Sequence, residues 1–217
     1  MTKAFFTALS YIFHPLFLPL FGLFFLFSLP SLTPGLIEKS LYAIDLDVKI
    51  AIYMIFATLM VVAPGISILI MYWSKVIDSI TMEGKRERNY ALGIVLMYVV
   101  FCYFYLRELI ASQPNYTLLL AYTFGVLLVV LTTLFINLFF KISLHAAGFF
   151  GIIGAIIGYF NTQVNFNLPF ILLLIIVGGL VSAGRLFLKA HTNKEILAGM
   201  AVGFTIEFLC MKFEWFL

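Results

Sequence analysis

Charged residues are scarce in this sequence. Only 11% of its 217 residues are Asp, Glu, Lys or Arg, while 64% are hydrophobic, and the mean hydropathy is +1.12. A soluble domain usually has about a quarter of its residues charged and about half of them apolar. The shortage of charge therefore excludes a soluble globular protein and predicts an integral membrane protein.

Cysteine and clustered charge are also nearly absent. The two cysteines, Cys102 and Cys210, lie inside apolar runs, which predicts neither a disulfide framework nor a cysteine-based metal site. The net charge of +3 is small and spread along the chain, so nucleic acid is excluded as a partner.

Long apolar stretches are what the sequence has in abundance. Seven of them approach the roughly 20 residues that a helix needs to cross the hydrocarbon layer. They are residues 11–29, 49–72, 89–110, 117–140, 143–160, 167–187 and 194–214. The predicted fold is an all-α, polytopic transmembrane helix bundle of six or seven spans, with residues 1–217 as a single transmembrane domain.

Proline and glycine refine this prediction. Pro15 and Pro19 predict a kink in the first stretch, and Pro64 predicts one in the second. The linker 30–47 is expected to lie in the membrane interface. Small residues three or four apart in the last helix and in the fifth stretch predict close packing of these two helices. They are Gly148, Gly151, Gly154, Gly158, Gly199 and Gly203.

The connectivity of the spans places three polar segments on one face of the membrane. The segments 73–88, 141–145 and 185–194 are separated by even numbers of crossings if each stretch crosses once. Residues from all three are therefore expected to meet at one surface, within reach of a lipid headgroup.

The segment after the sixth stretch combines side chains that suit phosphate chemistry. Arg185, His191 and Glu195 lie between two apolar runs. A histidine with a carboxylate four residues later is a nucleophile or base with its orienting acid, and an arginine fork suits a phosphoryl group. This pattern resembles the third motif of the type 2 phosphatidic acid phosphatase superfamily, S-R-x5-H-x3-D-V-x2-G, through to Gly199.

Two further segments resemble the other motifs of that superfamily, in the same order. Ser143 and His145 match its P-S-G-H motif, and Arg88 matches the arginine of its K-x6-R-P motif, whose lysine position is Thr81. The phosphatase-like motifs thus span residues 81–199. The sequence departs from the family pattern at several positions. It has Thr81 for lysine, Asn89 for proline, Ile142 and Leu144 around the serine, Gly184 for serine and Glu195 for aspartate.

The resemblance implies a membrane-integral lipid phosphatase that acts through a phosphohistidine. His191 would be the nucleophile, Glu195 would orient it, and His145 would be the acid and base. Arg185, Arg88 and Ser143 would hold the phosphate. No metal or other cofactor is implied, and the expected partners are a lipid phosphate or diphosphate substrate and membrane lipids, with the oligomeric state left open.

Lys141 is the candidate to replace the missing lysine. It lies at the membrane boundary two residues before Ser143, so its ammonium group can reach the headgroup layer. The alternative is a positive anchor at a helix end.

Other site residues also have a structural interpretation. Thr192 and Glu195 fit a capping box, and Ser143 fits an N-cap. His14, which has no motif around it, is interpreted as structural. Glu207 follows Glu195 at steps of four along one helix face that is expected to point into the bundle.

Three functions remain open from the sequence. The departures from the family pattern leave a catalytically degenerate, phosphate-binding protein as the alternative to an enzyme. A transporter would need broken helices and an internal repeat, and the sequence shows no repeat.

The basic residues favour a site on the cytoplasmic face of the cell (inner) membrane. Of the thirteen Lys and Arg residues, nine fall on the face of the motifs: Lys3, Lys75, Lys85, Arg86, Arg88, Lys141, Arg185, Lys189 and Lys194. The other four are Lys39, Lys49, Arg107 and Lys212.

Overall fold

The described part of the chain is a bundle of helices. The computed structural model describes residues 2–30, 40–79, 84–110, 116–163 and 166–216, and within these ranges no β-strand occurs. The helices are α1 (Thr2–Ile12), α2 (Leu18–Ser28), α3 (Leu46–Phe56), α4 (Ala63–Trp73), α5 (Lys85–Ile110), α6 (Thr117–Asn137), α7 (Leu144–Asn161), α8 (Leu168–Phe187) and α9 (Asn193–Phe213). The predicted all-α transmembrane bundle is confirmed.

Six long apolar helices are present among the described residues, and the first predicted span is not one of them. The six are Leu46–Trp73, which joins α3 and α4, and α5 to α9. The stretch 11–29 is instead divided between α1 and α2, so the kink predicted there is a full break and the stretch does not form one long helix. Pro15 and Pro19 lack the N–H that a continuing helix requires, and Pro19 is tolerated in the first turn of α2.

The second stretch is one continuous helical segment, and it is irregular next to Pro64, where a kink was predicted. The turn Ala57–Val62, between α3 and α4, is a π-helix, and the Ala63 N–H bonds to the Thr58 carbonyl five residues back. Pro64 cannot donate the next hydrogen bond of a regular α-helix, and the wider turn before it accommodates this loss. Of the predicted interfacial linker, residues 31–39 lie outside the described residues.

The predicted close packing of α7 and α9 is confirmed. A Cβ atom added at Gly203 would overlap the Ala147 carbonyl oxygen, and one added at Gly154 would overlap the Phe204 carbonyl oxygen. The two backbones are therefore in direct contact, as small residues permit in a membrane where apolar burial drives little helix association.

Capping residues bring the N-termini of α7 and α9 together. The Ser143 side chain caps α7, and Thr192 and Glu195 form a capping box at the start of α9. The Ser143 N–H also donates to the Glu195 carbonyl at 3.1 Å. This contact joins the second and third motif segments at one end of the bundle.

Candidate functional site

A cavity of about 660 Å³ begins at this end of the bundle and extends between the helices. Arg88 from α5, His145 from α7, Arg185 from α8 and His191 from the α8–α9 turn line it. The structure thus brings side chains of all three motif segments to one cavity. Most of the remaining lining is aliphatic.

His191 and Glu195 form a hydrogen-bonded pair. The Glu195 Oε2 atom lies 2.7 Å from His191 Nδ1, and the two side chains are 14% and 8% exposed, respectively. The same oxygen lies 3.4 Å from the Thr192 N–H, so Glu195 caps the helix and contacts His191 at once. A carboxylate at Nδ1 favours the tautomer in which Nε2 carries the free electron pair of a nucleophile.

Burial keeps the His191 ring neutral. It lowers the pKa of His191 from 6.5 to about 4, against the opposing effect of the hydrogen bond to Glu195. The positive charges of Lys141 and Arg185 lower the pKa further. An unprotonated imidazole at neutral pH is the form that a nucleophile needs.

We expect His191 to titrate near pH 4 in the folded protein. Between pH 6.5 and about 4 the native ring stays neutral, while the ring of the unfolded chain takes up a proton. Protonation therefore favours the unfolded chain, and the free energy of unfolding falls as the pH is lowered through this window. Comparing histidine NMR spectra of the wild type and His191→Gln identifies the resonance, and a peptide of residues 185–199 is the unfolded control. A midpoint equal to that of the peptide would contradict the expectation.

His145 is held at the cavity wall by the N-terminal helix. Its Nε2 atom lies 3.1 Å from the Ser10 carbonyl oxygen, to which it donates, and the side chain is buried. In the neutral ring Nδ1 is then the unprotonated nitrogen. Ser143, two residues earlier, is fully buried and its hydroxyl accepts from the Ala146 N–H at 3.4 Å. Ser143 therefore caps α7, as one interpretation of the sequence predicted. The contact of its hydroxyl with phosphate stays a prediction.

Arg185 carries an unsatisfied donor at the cavity. Within the described part of the chain its buried Nε has no hydrogen-bond partner. Arg88 lies in the first turn of α5 and is half-buried at the same cavity. The unpaired Nε donor of Arg185, at the same cavity as His191, is suited to a phosphoryl group, which accepts several hydrogen bonds in a fixed geometry.

Lys141 lies next to the site and contacts the backbone. Its Nζ atom donates to the Ala190 carbonyl at 2.8 Å, directly before His191, and Lys141 is not among the residues that line the cavity. Lys85 and Arg86 are exposed, and the Arg86 side chain donates to the Tyr90 hydroxyl. Thr81 lies outside the described residues.

His14 is a site residue that the sequence analysis missed. Its ring centroid lies 6.0 Å from that of His145, and both side chains line the cavity. The Leu16 N–H donates to its Nδ1 at 3.4 Å, which leaves Nε2 as the donor of the neutral ring. The only sequence signal was the kink predicted at Pro15, and the chain is broken between α1 and α2 at this point.

Among the described residues, we find no group of three or more His, Cys, Asp or Glu side chains that could hold a metal ion. Cys102 and Cys210 are both free and buried.

Comparison with known proteins supports the interpretation of the motifs. Residues 136–217, which contain the second and third motifs, match the family model of the PAP2 superfamily. No curated protein and no solved structure gives a significant match. The matched segment supplies His145, Arg185, His191 and Glu195, the residues that the geometry brings together at the cavity and at its rim. Through this segment the chain is similar to the type 2 phosphatidic acid phosphatase (PAP2) superfamily, and its six long apolar helices fit an integral membrane protein.

Proposed function

We propose that this protein hydrolyses a lipid phosphate or diphosphate through a phosphohistidine intermediate. The observation that carries the proposal is the His191–Glu195 pair at a cavity where the Arg185 guanidinium has an unpaired donor. A nucleophile, its orienting carboxylate and an anion-binding cation are the groups that phosphoryl transfer requires.

The reaction proceeds in two steps. His191 Nε2 attacks phosphorus, the bond from phosphorus to the leaving oxygen breaks, and His145, which enters this step doubly protonated, passes its Nδ1 proton to that oxygen. Water then attacks the phosphohistidine, His145 takes its proton, and the P–N bond breaks to release phosphate. Arg185 and Arg88 stabilise the charge on the nonbridging oxygens, so the mechanism requires no metal ion.

The surroundings of the site favour a lipid as the carrier of the phosphate. The cavity continues from the arginines into the bundle between aliphatic side chains such as Leu92, Val126 and Val129. An apolar wall suits the hydrocarbon part of an amphiphile, while the polar end fixes its headgroup.

Phosphate release from a substrate panel tests this function. Purified protein in detergent with EDTA is offered phosphatidic acid, phosphatidylglycerophosphate and a polyprenyl diphosphate. Release from at least one substrate, lost in His191→Ala, is expected. Absence of release from every substrate, with retained binding of a lipid phosphate, would favour the degenerate binding protein instead. The departures at Thr81 and Ile142 and the engagement of Ser143 in a cap are the observations behind this second candidate.

Lys141 is expected to matter more than Lys85. Lys141→Ala should lower phosphate release by about one to three decades, roughly the effect of losing one transition-state donor, because it removes a cation beside His191 and the bond to the Ala190 carbonyl. Lys85→Ala, at an exposed position, is the control and should change little. Equal, mild effects of the two substitutions would reject Lys141 as the replacement cation.

We further propose that the site faces the cytoplasm, on the charge asymmetry given above. An impermeant thiol reagent should leave Ser79→Cys unlabelled in intact cells or spheroplasts and label Asn161→Cys, at the opposite end of α7. Because Cys102 and Cys210 are buried, the background is expected to be low. The reverse labelling pattern would assign the site to the outer face.

A further inference from the structure

A buried carboxyl group lies at the far end of the cavity. Glu207 lines it, is 3% exposed, and lies twelve residues after Glu195 on α9, which corresponds to about 18 Å along the helix. No hydrogen-bond partner for its Oε2 atom exists among the described residues.

Neighbouring helices leave room for this group. A Cβ atom added at Gly125 of α6 would overlap the Glu207 carboxyl, and one added at Gly151 of α7 would lie 3.4 Å from Glu207 Cγ. The nearby Tyr122 hydroxyl donates to the Pro19 carbonyl at 2.7 Å and is therefore engaged elsewhere. The carboxyl thus occupies a space formed by α6, α7 and α9.

This arrangement is unfavourable unless a ligand completes it. An unpaired polar group in the interior of a membrane protein costs free energy, and an ionisable residue there usually serves a function. Leucine at this position would match the aliphatic lining and would leave no buried polar atom unsatisfied.

We propose that Glu207 recognises a hydroxyl group on the hydrocarbon part of the ligand, about 18 Å along α9 from Glu195, at whose end of the cavity the phosphate would bind. That the phosphate binds at this end of the cavity rests on the proposed function. A hydroxyl is the complement because it both donates and accepts, so it pairs with the carboxyl in either protonation state. An ammonium group in its place would have to leave water at a large cost.

Matched pairs of alkyl phosphates test this site. Linear n-alkyl phosphates of increasing length are compared in detergent with their ω-hydroxyalkyl counterparts. Binding is measured by displacement of a fluorescent lipid phosphate, and phosphate release is measured separately. The wild type should bind the hydroxylated member about tenfold more tightly, only at the length that reaches Glu207. Glu207→Leu should abolish this preference, and Glu207→Gln, which keeps a hydrogen-bonding group, should retain part of it.

Met211→Leu is the structural control, since Met211 is buried one turn further along α9 and does not line the cavity. It should leave the preference unchanged. Equal binding of both members at every length by the wild type, or an unchanged preference in Glu207→Leu, would overturn the inference. A preserved preference without phosphate release would reject the proposed enzyme and leave the inference in place.

Discussion

His191→Ala is expected to lower phosphate release by about 10⁴-fold or more. The substitution removes the atom that forms the covalent intermediate, and the remaining arginines can bind substrate without opening an equivalent path. Activity is measured by phosphate release in detergent with EDTA. Wild-type enzyme with labelled substrate, stopped with SDS at alkaline pH, should carry a phosphoryl group that is stable to base and labile to acid and that His191→Ala lacks.

Glu195→Gln is the matched variant. Glutamine keeps the size of the side chain and can still complete the capping box, so the start of α9 should be preserved. The loss of the carboxylate at 2.7 Å from His191 removes the group that fixes the ring, and an intermediate rate is expected. Near-normal activity of His191→Ala would contradict the mechanism.

Gly203→Ala is expected to lower the free energy of unfolding by about 3 kcal/mol. The added methyl group would overlap the Ala147 carbonyl oxygen, which is backbone and cannot rotate away, so α7 and α9 must separate. Unfolding by titration with SDS, followed by circular dichroism, measures the change. Loss of phosphate release should accompany it, because the N-termini of these two helices carry His145 and Glu195.

Gly179→Ala is the control for this prediction. A Cβ atom there meets nothing within 4 Å, although Gly179 also lies inside a long apolar helix. Its free energy of unfolding should stay unchanged or rise by up to about 1 kcal/mol, since alanine is the better helix former. Equal stabilities of the two variants would show that the α7–α9 contact is not tight.

The sequence was sufficient for the six long helices and for the motif residues. Apolar runs of this length have few stable alternatives to a helix in a membrane, because every backbone polar group must be paired within the segment. The order of the motifs and the count of crossings then placed Arg88, His145 and His191 at one end. The kink predicted from Pro15 and Pro19 is a full break between α1 and α2, and the sequence did not show that the two pieces are too short to count as one long helix.

The contacts of the site needed the tertiary structure. His14 approaches His145 across 131 positions of sequence, and the Ser10 carbonyl reaches the same ring because the chain turns back after α1. No periodicity in the sequence encodes that approach. The two contacts of Glu195, with Thr192 and with His191, were readable from its spacing to these residues, since both lie within one helical turn.

The sequence by itself determined which segments are helices and which side chains can carry phosphate chemistry, because these depend on apolar length and on residues close together in the chain. Only the tertiary structure decided that a cavity runs from Arg185 to Glu207 and that the Glu207 Oε2 atom lacks a partner in the described part of the chain. Cavities and unsatisfied groups depend on how distant helices pack, and on where glycines such as Gly125 leave space, which the local pattern of residues does not specify.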